Sequence, residues 1–89
     1  MNSARLRHAT DQEHIALSDN CLLVERIEAG QLAQVRLDPH WTRIAPPTRG
    51  HKLVTLESRG VRVDVGAFVS EDRRQQLARE LRRELRGVY

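Results

Sequence analysis

The 89-residue sequence predicts an α+β fold: an antiparallel sheet of five or six strands capped by one C-terminal amphipathic helix. Three observations predict it. Short runs of β-branched and leucine residues recur between about residues 13 and 69, each bounded by turn-forming residues. The run Val61-Arg62-Val63-Asp64-Val65 alternates strictly, as a strand with one solvated face does. From Ser70 onward the period changes from two to that of a helix, with Leu77, Ala78, Leu81 and Leu85 forming one apolar stripe.

Taken in chain order, residues 1–12 are polar and without period, and they read as a leader, a candidate for mobility, ahead of a single domain over residues 13–89. His14–Leu17 is the first apolar run, closed by Ser18-Asp19-Asn20, whose side chains favour a hairpin turn. Leu22–Ile27 follows as a strand, and Glu28-Ala29-Gly30 supplies a tight connection with a glycine free to take positive φ. In the next run Ala33, Val35 and Leu37 share one face, Gln34 and Arg36 the other, and Leu32 starts on the polar face. Pro39 has no amide donor and interrupts the ladder, so Trp41–Ile44 is a continuation past a bulge or a separate short strand. Trp41 is expected to anchor the core.

Pro46-Pro47-Thr48-Arg49-Gly50 is the clearest loop. Leu53–Glu57 is a strand, and Ser58-Arg59-Gly60 turns into the alternating run, where Val61, Val63 and Val65 face inward and Arg62 and Asp64 meet a polar surface. Ser70 is placed to cap the helix ahead of Glu71 and Asp72, whose carboxylates suit the positive end of its dipole. The helix runs from about Ser70 to Arg86, with Gly87 as its stop and Val88 extending the stripe.

Composition and motifs exclude more than they assign. The longest apolar runs are Cys21–Val24 and Val65–Val69, far short of the roughly 20 residues a membrane-spanning helix needs. There is no secretory signature at the start, and the lone Cys21, expected to be a buried apolar residue, suits a reducing compartment. The chain as given is therefore expected in the cytoplasm. His8, His14, His40 and His51 are scattered and show no metal-ligand spacing, so they read as exposed or half-buried histidines and no metal or other cofactor is expected. No nucleophile motif stands out, and Gly60 and Gly66 bracket a strand rather than opening a phosphate loop. The chain reads as non-catalytic, with no small-molecule substrate implied.

One feature is suggestive. Arg73, Arg74, Arg79, Arg82, Arg83 and Arg86 line the helix and are the candidate contacts with an anionic surface. Glu80 and Glu84 interrupt them, and aromatic platforms for stacking bases are absent. A protein or an anionic membrane surface is thus the expected partner, and a basic nucleic-acid-binding module is the alternative.

Several segments carry a family resemblance. They are Arg7-His8-Ala9 leading to Glu13 and Ile15-Ala16-Leu17, Leu22-Leu23-Val24-Glu25, Arg36-Leu37-Asp38-Pro39-His40-Trp41-Thr42-Arg43-Ile44 and Ser58-Arg59-Gly60. Val65-Gly66-Ala67-Phe68-Val69-Ser70 and Arg74 with Leu77-Ala78-Arg79-Glu80-Leu81-Arg82 complete the set. In this order they resemble the soluble C-terminal part of the bacterial predicted integral-membrane family DUF2244, over about residues 7–86. The resemblance implies an inner-membrane protein with this part on the cytoplasmic side, two adjacent apolar segments ahead of it that the 89 residues do not include, and no catalytic residues. The element order is also similar to that of bacterial pleckstrin-homology-like domains, an analogy of fold that assigns no function.

Overall fold

The structure, a computed structural model, describes residues 6–45, 50 and 52–86. Their strands form two antiparallel sheets rather than one. The first has the order β1 (Leu6–Ala9), β2 (Glu13–Leu17), β3 (Leu22–Glu28) and β4 (Gln31–Leu37). The second has β5 (Thr42–Ile44), β6 (Val54–Ser58) and β7 (Val61–Val65), and α1 (Glu71–Arg86) ends the described chain.

Pro39 is the reason that a single sheet of five or six strands is not built. Asp38 accepts the His40 amide on Oδ1 at 2.9 Å, and its carbonyl accepts the Trp41 amide at 3.1 Å and the Thr42 hydroxyl at 2.7 Å. This closes a 3₁₀ turn over Pro39–Trp41, so the chain leaves the first sheet at Leu37 and starts the second at Thr42. The same turn corrects the expectation for Trp41. Pro39 is the buried residue of the turn, whereas Trp41 is 57% exposed and stacks beneath the Arg59 guanidinium, 4.4 Å from its ring centre.

The segment read as a leader also contributes a strand. Leu6–Ala9 pairs with β2 in the register Leu6 to Leu17 and His8 to Ile15, and Thr10 closes the hairpin by accepting the Glu13 amide on Oγ1 at 3.0 Å. The two-residue turns Ala29-Gly30 and Arg59-Gly60 have positive φ at both positions, 50° and 77°, then 49° and 88°, which is the type I′ geometry that matches strand twist. Cys21 closes the β2–β3 turn by accepting the Ser18 amide at 2.9 Å and is half-buried, not buried as expected.

Alternation sets the core. Ile15, Leu17, Leu22, Val24 and Leu37 from the first sheet meet Val54, Leu56 and Val65 from the second, and Leu77, Ala78, Leu81 and Leu85 of α1 close the space. Of the three valines expected to face inward, Val65 is buried and Val63 packs at the edge, but Val61 is 48% exposed because it opens β7 at the hairpin end. Ser70 caps α1 as expected, its Oγ accepting the Arg73 amide at 3.2 Å. The helix lies against β1 and β5, one edge strand from each sheet. Pro46–Arg49 of the expected loop, Gly87 and Val88 lie outside the described residues.

Candidate functional site

The six candidate arginines divide into two sets by what they touch. Arg73 and Arg74, on the first turn, are half-buried and engaged. Arg74 donates through Nη1 to the Gly66 carbonyl at 2.8 Å and the Val69 carbonyl at 3.0 Å, tying the helix to the loop that feeds it. Gly66 has φ +89°, and a Cβ there would come within 2.5 Å of Arg74 Cγ. Glycine is therefore required by both conformation and space. Arg73 Nη2 lies 3.4 Å from His8 Nδ1.

Arg79, Arg82, Arg83 and Arg86 are exposed. At 100° per residue, Arg82 and Arg86 fall on the flank beside Leu85, while Glu80 and Glu84 fall on the opposite flank beside Leu77 and Arg73. The carboxylates that interrupt the arginines in sequence are therefore turned away from Arg82 and Arg86 in space. Glu80 accepts from Gln76 at 3.3 Å, and Glu84 pairs with Arg83 at 3.5 Å.

On the β5 side Arg82 and Arg86 border an open groove of about 490 Å³, whose other described lining residues are Thr42, Arg43, Ile44 and Leu85. Leu85 is 4% exposed and Ile44 packs on the core edge, so the floor is apolar. Arg43 is steadied by Glu57, which accepts its Nε at 3.2 Å. The same carboxylate takes Arg62 at 2.8 Å, so this cross-strand trio keeps one net positive charge. Arg43 and Ile44 escaped the sequence reading, because nothing in the spacing of residues some forty positions apart says that β5 lies along α1.

A second polar cluster lies inside the molecule. Glu13, its side chain 1% exposed, accepts Arg26 Nη2 at 3.0 Å and the Gly66 amide at 2.9 Å, and Arg26 also donates to the Asp64 carbonyl and to Glu28. Burial disfavours the Arg26 charge, but the Glu13 and Glu28 carboxylates outweigh it and raise its pKa. The cluster joins β2 and β3 to the end of β7, and so clips the sheets together. One signal existed for it: Glu13 shares the period-2 face of Ile15 and Leu17. His8, on the same sheet face, is 3% exposed, not exposed or half-buried as expected, and its Nε2 has no hydrogen-bond partner among the described residues. Burial first, then the Arg73 charge, lowers its pKa, against smaller opposing effects of Glu13 and Glu80. His14 is half-buried with Nδ1 3.2 Å from Glu25 Oε1, and His40 is exposed. Among the described residues no group of three His, Cys, Asp or Glu side chains could hold a metal ion.

The comparison that decides the family is one of sequence: the model of the family described as "Integral membrane protein (DUF2244)" matches residues 3–85. The chain belongs to the DUF2244 family. No curated protein and no solved structure matches it. Among its described residues no helix is long and apolar enough to cross a membrane, so this DUF2244 chain contributes two sheets and a basic helix to a family of integral membrane proteins.

Proposed function

We propose that this DUF2244 chain is a non-catalytic cytoplasmic module that docks on an anionic surface beside the membrane through the outer face of α1. The observation that carries the reading is the segregation of charge: Arg79, Arg82, Arg83 and Arg86 are exposed, and Glu80 and Glu84 are half-buried. Basic residues next to a membrane favour the cytoplasmic side, where each adds about 1 kcal/mol of attraction to anionic lipid. The finer likeness to a pleckstrin-homology-like fold belongs to the same proposal, supported by the order of strands followed by a C-terminal helix.

Sedimentation with vesicles tests it. The purified chain is expected to bind vesicles rich in phosphatidylglycerol at low salt, to release them near physiological salt as charges become screened beyond roughly 8 Å, and to ignore phosphatidylcholine vesicles. Failure to bind at low salt would remove the membrane reading. The nucleic-acid alternative predicts sequence-selective duplex binding that persists at about 0.2 M salt.

A further inference from the structure

Resting on the membrane-side reading, we infer that the groove between β5 and the last turns of α1 is a site for the headgroup of one anionic phospholipid, with the start of its acyl chains on the Ile44–Leu85 floor. The charge is sufficient for an anion. Arg82 and Arg86 stand one helical turn apart, roughly 5 to 6 Å between their Cβ atoms, and Arg43 lines the groove from β5 with its guanidinium held by Glu57. Glu57 leaves the Arg43–Arg62 pair with one net positive charge.

The opposing field is smaller. The groove lies near the C-terminus of α1, where the helix dipole amounts to roughly half a negative charge, against about three net positive charges from the arginines around it. Glu80 and Glu84 lie on the far flank, and Glu84 is paired with Arg83. Part of the rim is preorganised as well, since its bond to Glu57 already limits the rotamers of Arg43, so less entropy is lost when a phosphate binds.

The floor distinguishes a lipid from a free phosphate. Inorganic phosphate would use the guanidinium rim alone and leave the partly exposed Ile44 to water, whereas a lipid covers the rim and Ile44 together. The Thr42 hydroxyl is already donated to the Asp38 carbonyl at 2.7 Å, and it serves as wall rather than as donor. A diffuse basic face would need neither a groove nor an apolar floor.

The test uses the whole chain, labelled for NMR and titrated with short-chain phosphatidylglycerol below its micelle concentration. Phosphatidylcholine of the same chain length, glycerol phosphate and inorganic phosphate are parallel arms. Saturable shifts confined to Thr42–Ile44 and Arg82–Arg86 are expected with phosphatidylglycerol alone. The double variant Arg43→Gln/Arg82→Gln should weaken affinity about tenfold or more, as expected for loss of charge-assisted hydrogen bonds. Arg7→Gln/Arg36→Gln, an equal loss of charge at exposed positions of β1 and β4 away from both the groove and α1, should change it by about twofold at most.

Circular dichroism melts confirm that each variant is folded, and binding by the Arg7→Gln/Arg36→Gln chain keeps the test decisive if the groove variant unfolds. Equal weakening by the two pairs, an equal response to inorganic phosphate, or shifts spread over the whole surface would each overturn the site. Vesicle binding that persists alongside any of these outcomes would spare the general membrane reading, whereas no binding to anionic vesicles would end both.

Discussion

The first and last turns of α1 carry the same residue type and use it differently. At the first turn Arg74 is anchored on two backbone carbonyls and Arg73 reaches a buried histidine. At the last turns Arg82 and Arg86 are exposed beside an apolar groove. The difference teaches that a run of arginines in sequence says little about function until the surroundings of each one are known: near Gly66 and Val69 the neighbours are carbonyls of this chain, and along β5 the guanidinium groups are exposed at an open groove.

Four measurements can break or sharpen this contrast. The largest effect belongs to what both ends share, the stripe that holds the helix down. Leu81, fully buried in the middle of it, should cost roughly 2 to 5 kcal/mol when truncated to alanine, read from a urea titration. A cost near zero would mean that α1 does not need its stripe, and neither end would be positioned as described.

Next is Glu13→Ala, which leaves Arg26 and the Gly66 amide without their carboxylate. Arg26 keeps partial solvent access, with 21% of its side chain exposed, so a cost of roughly 2 to 4 kcal/mol is expected, at or below the range for breaking a buried pair. Thermal melts against wild type decide it. An unchanged midpoint would show that the sheets hold together without the clip.

The contrast itself is tested by Arg74→Ala beside Arg82→Ala. Loss of two charge-assisted bonds at Arg74 should destabilise by about 1 to 3 kcal/mol, while the exposed Arg82 should stay within about 0.5 kcal/mol of wild type. Reversed or equal costs in parallel denaturant titrations would cancel the distinction between an engaged and an available arginine.

The smallest effect is a pH dependence at the β1 side of the helix. The folded His8 resists protonation below its ordinary 6.5 through burial and then the Arg73 charge. The unfolded chain does not, so stability present above that pH is lost as pH falls toward the folded pKa. His8→Gln should flatten the decline of the denaturation midpoint between about pH 7 and pH 5. Glu25, held below its usual 4.5 first by the hydrogen bond from His14 and then by that from Gln34, adds a separate loss only at lower pH. Equal slopes for His8→Gln and wild type above that region would assign the decline to other groups.

What the order of residues alone revealed was local. The strand segments, the glycine turns at Gly30 and Gly60, the Ser70 cap and the four-residue stripe of α1 all follow from rules that act within a few residues, namely alternation, positive φ and dipole capping. The arginines of α1 were legible as a set for the same reason.

The rest depended on neighbours distant in sequence. Period-2 patterns show that a strand has an inner face but not which sheet it joins, so the division at Pro39 and the outward placing of Trp41 appeared only with the turn in three dimensions. The β1 strand has too little apolar content to announce itself, and its pairing to β2 defines it. The clip from Glu13 to Gly66 spans 53 positions, and the groove joins Arg43 to Arg82 across the molecule. By itself the sequence determined the elements and the presence of the charges. Tertiary structure alone decided which charges are spent inside the fold and which face outward, because burial and partnership are properties of the space between elements.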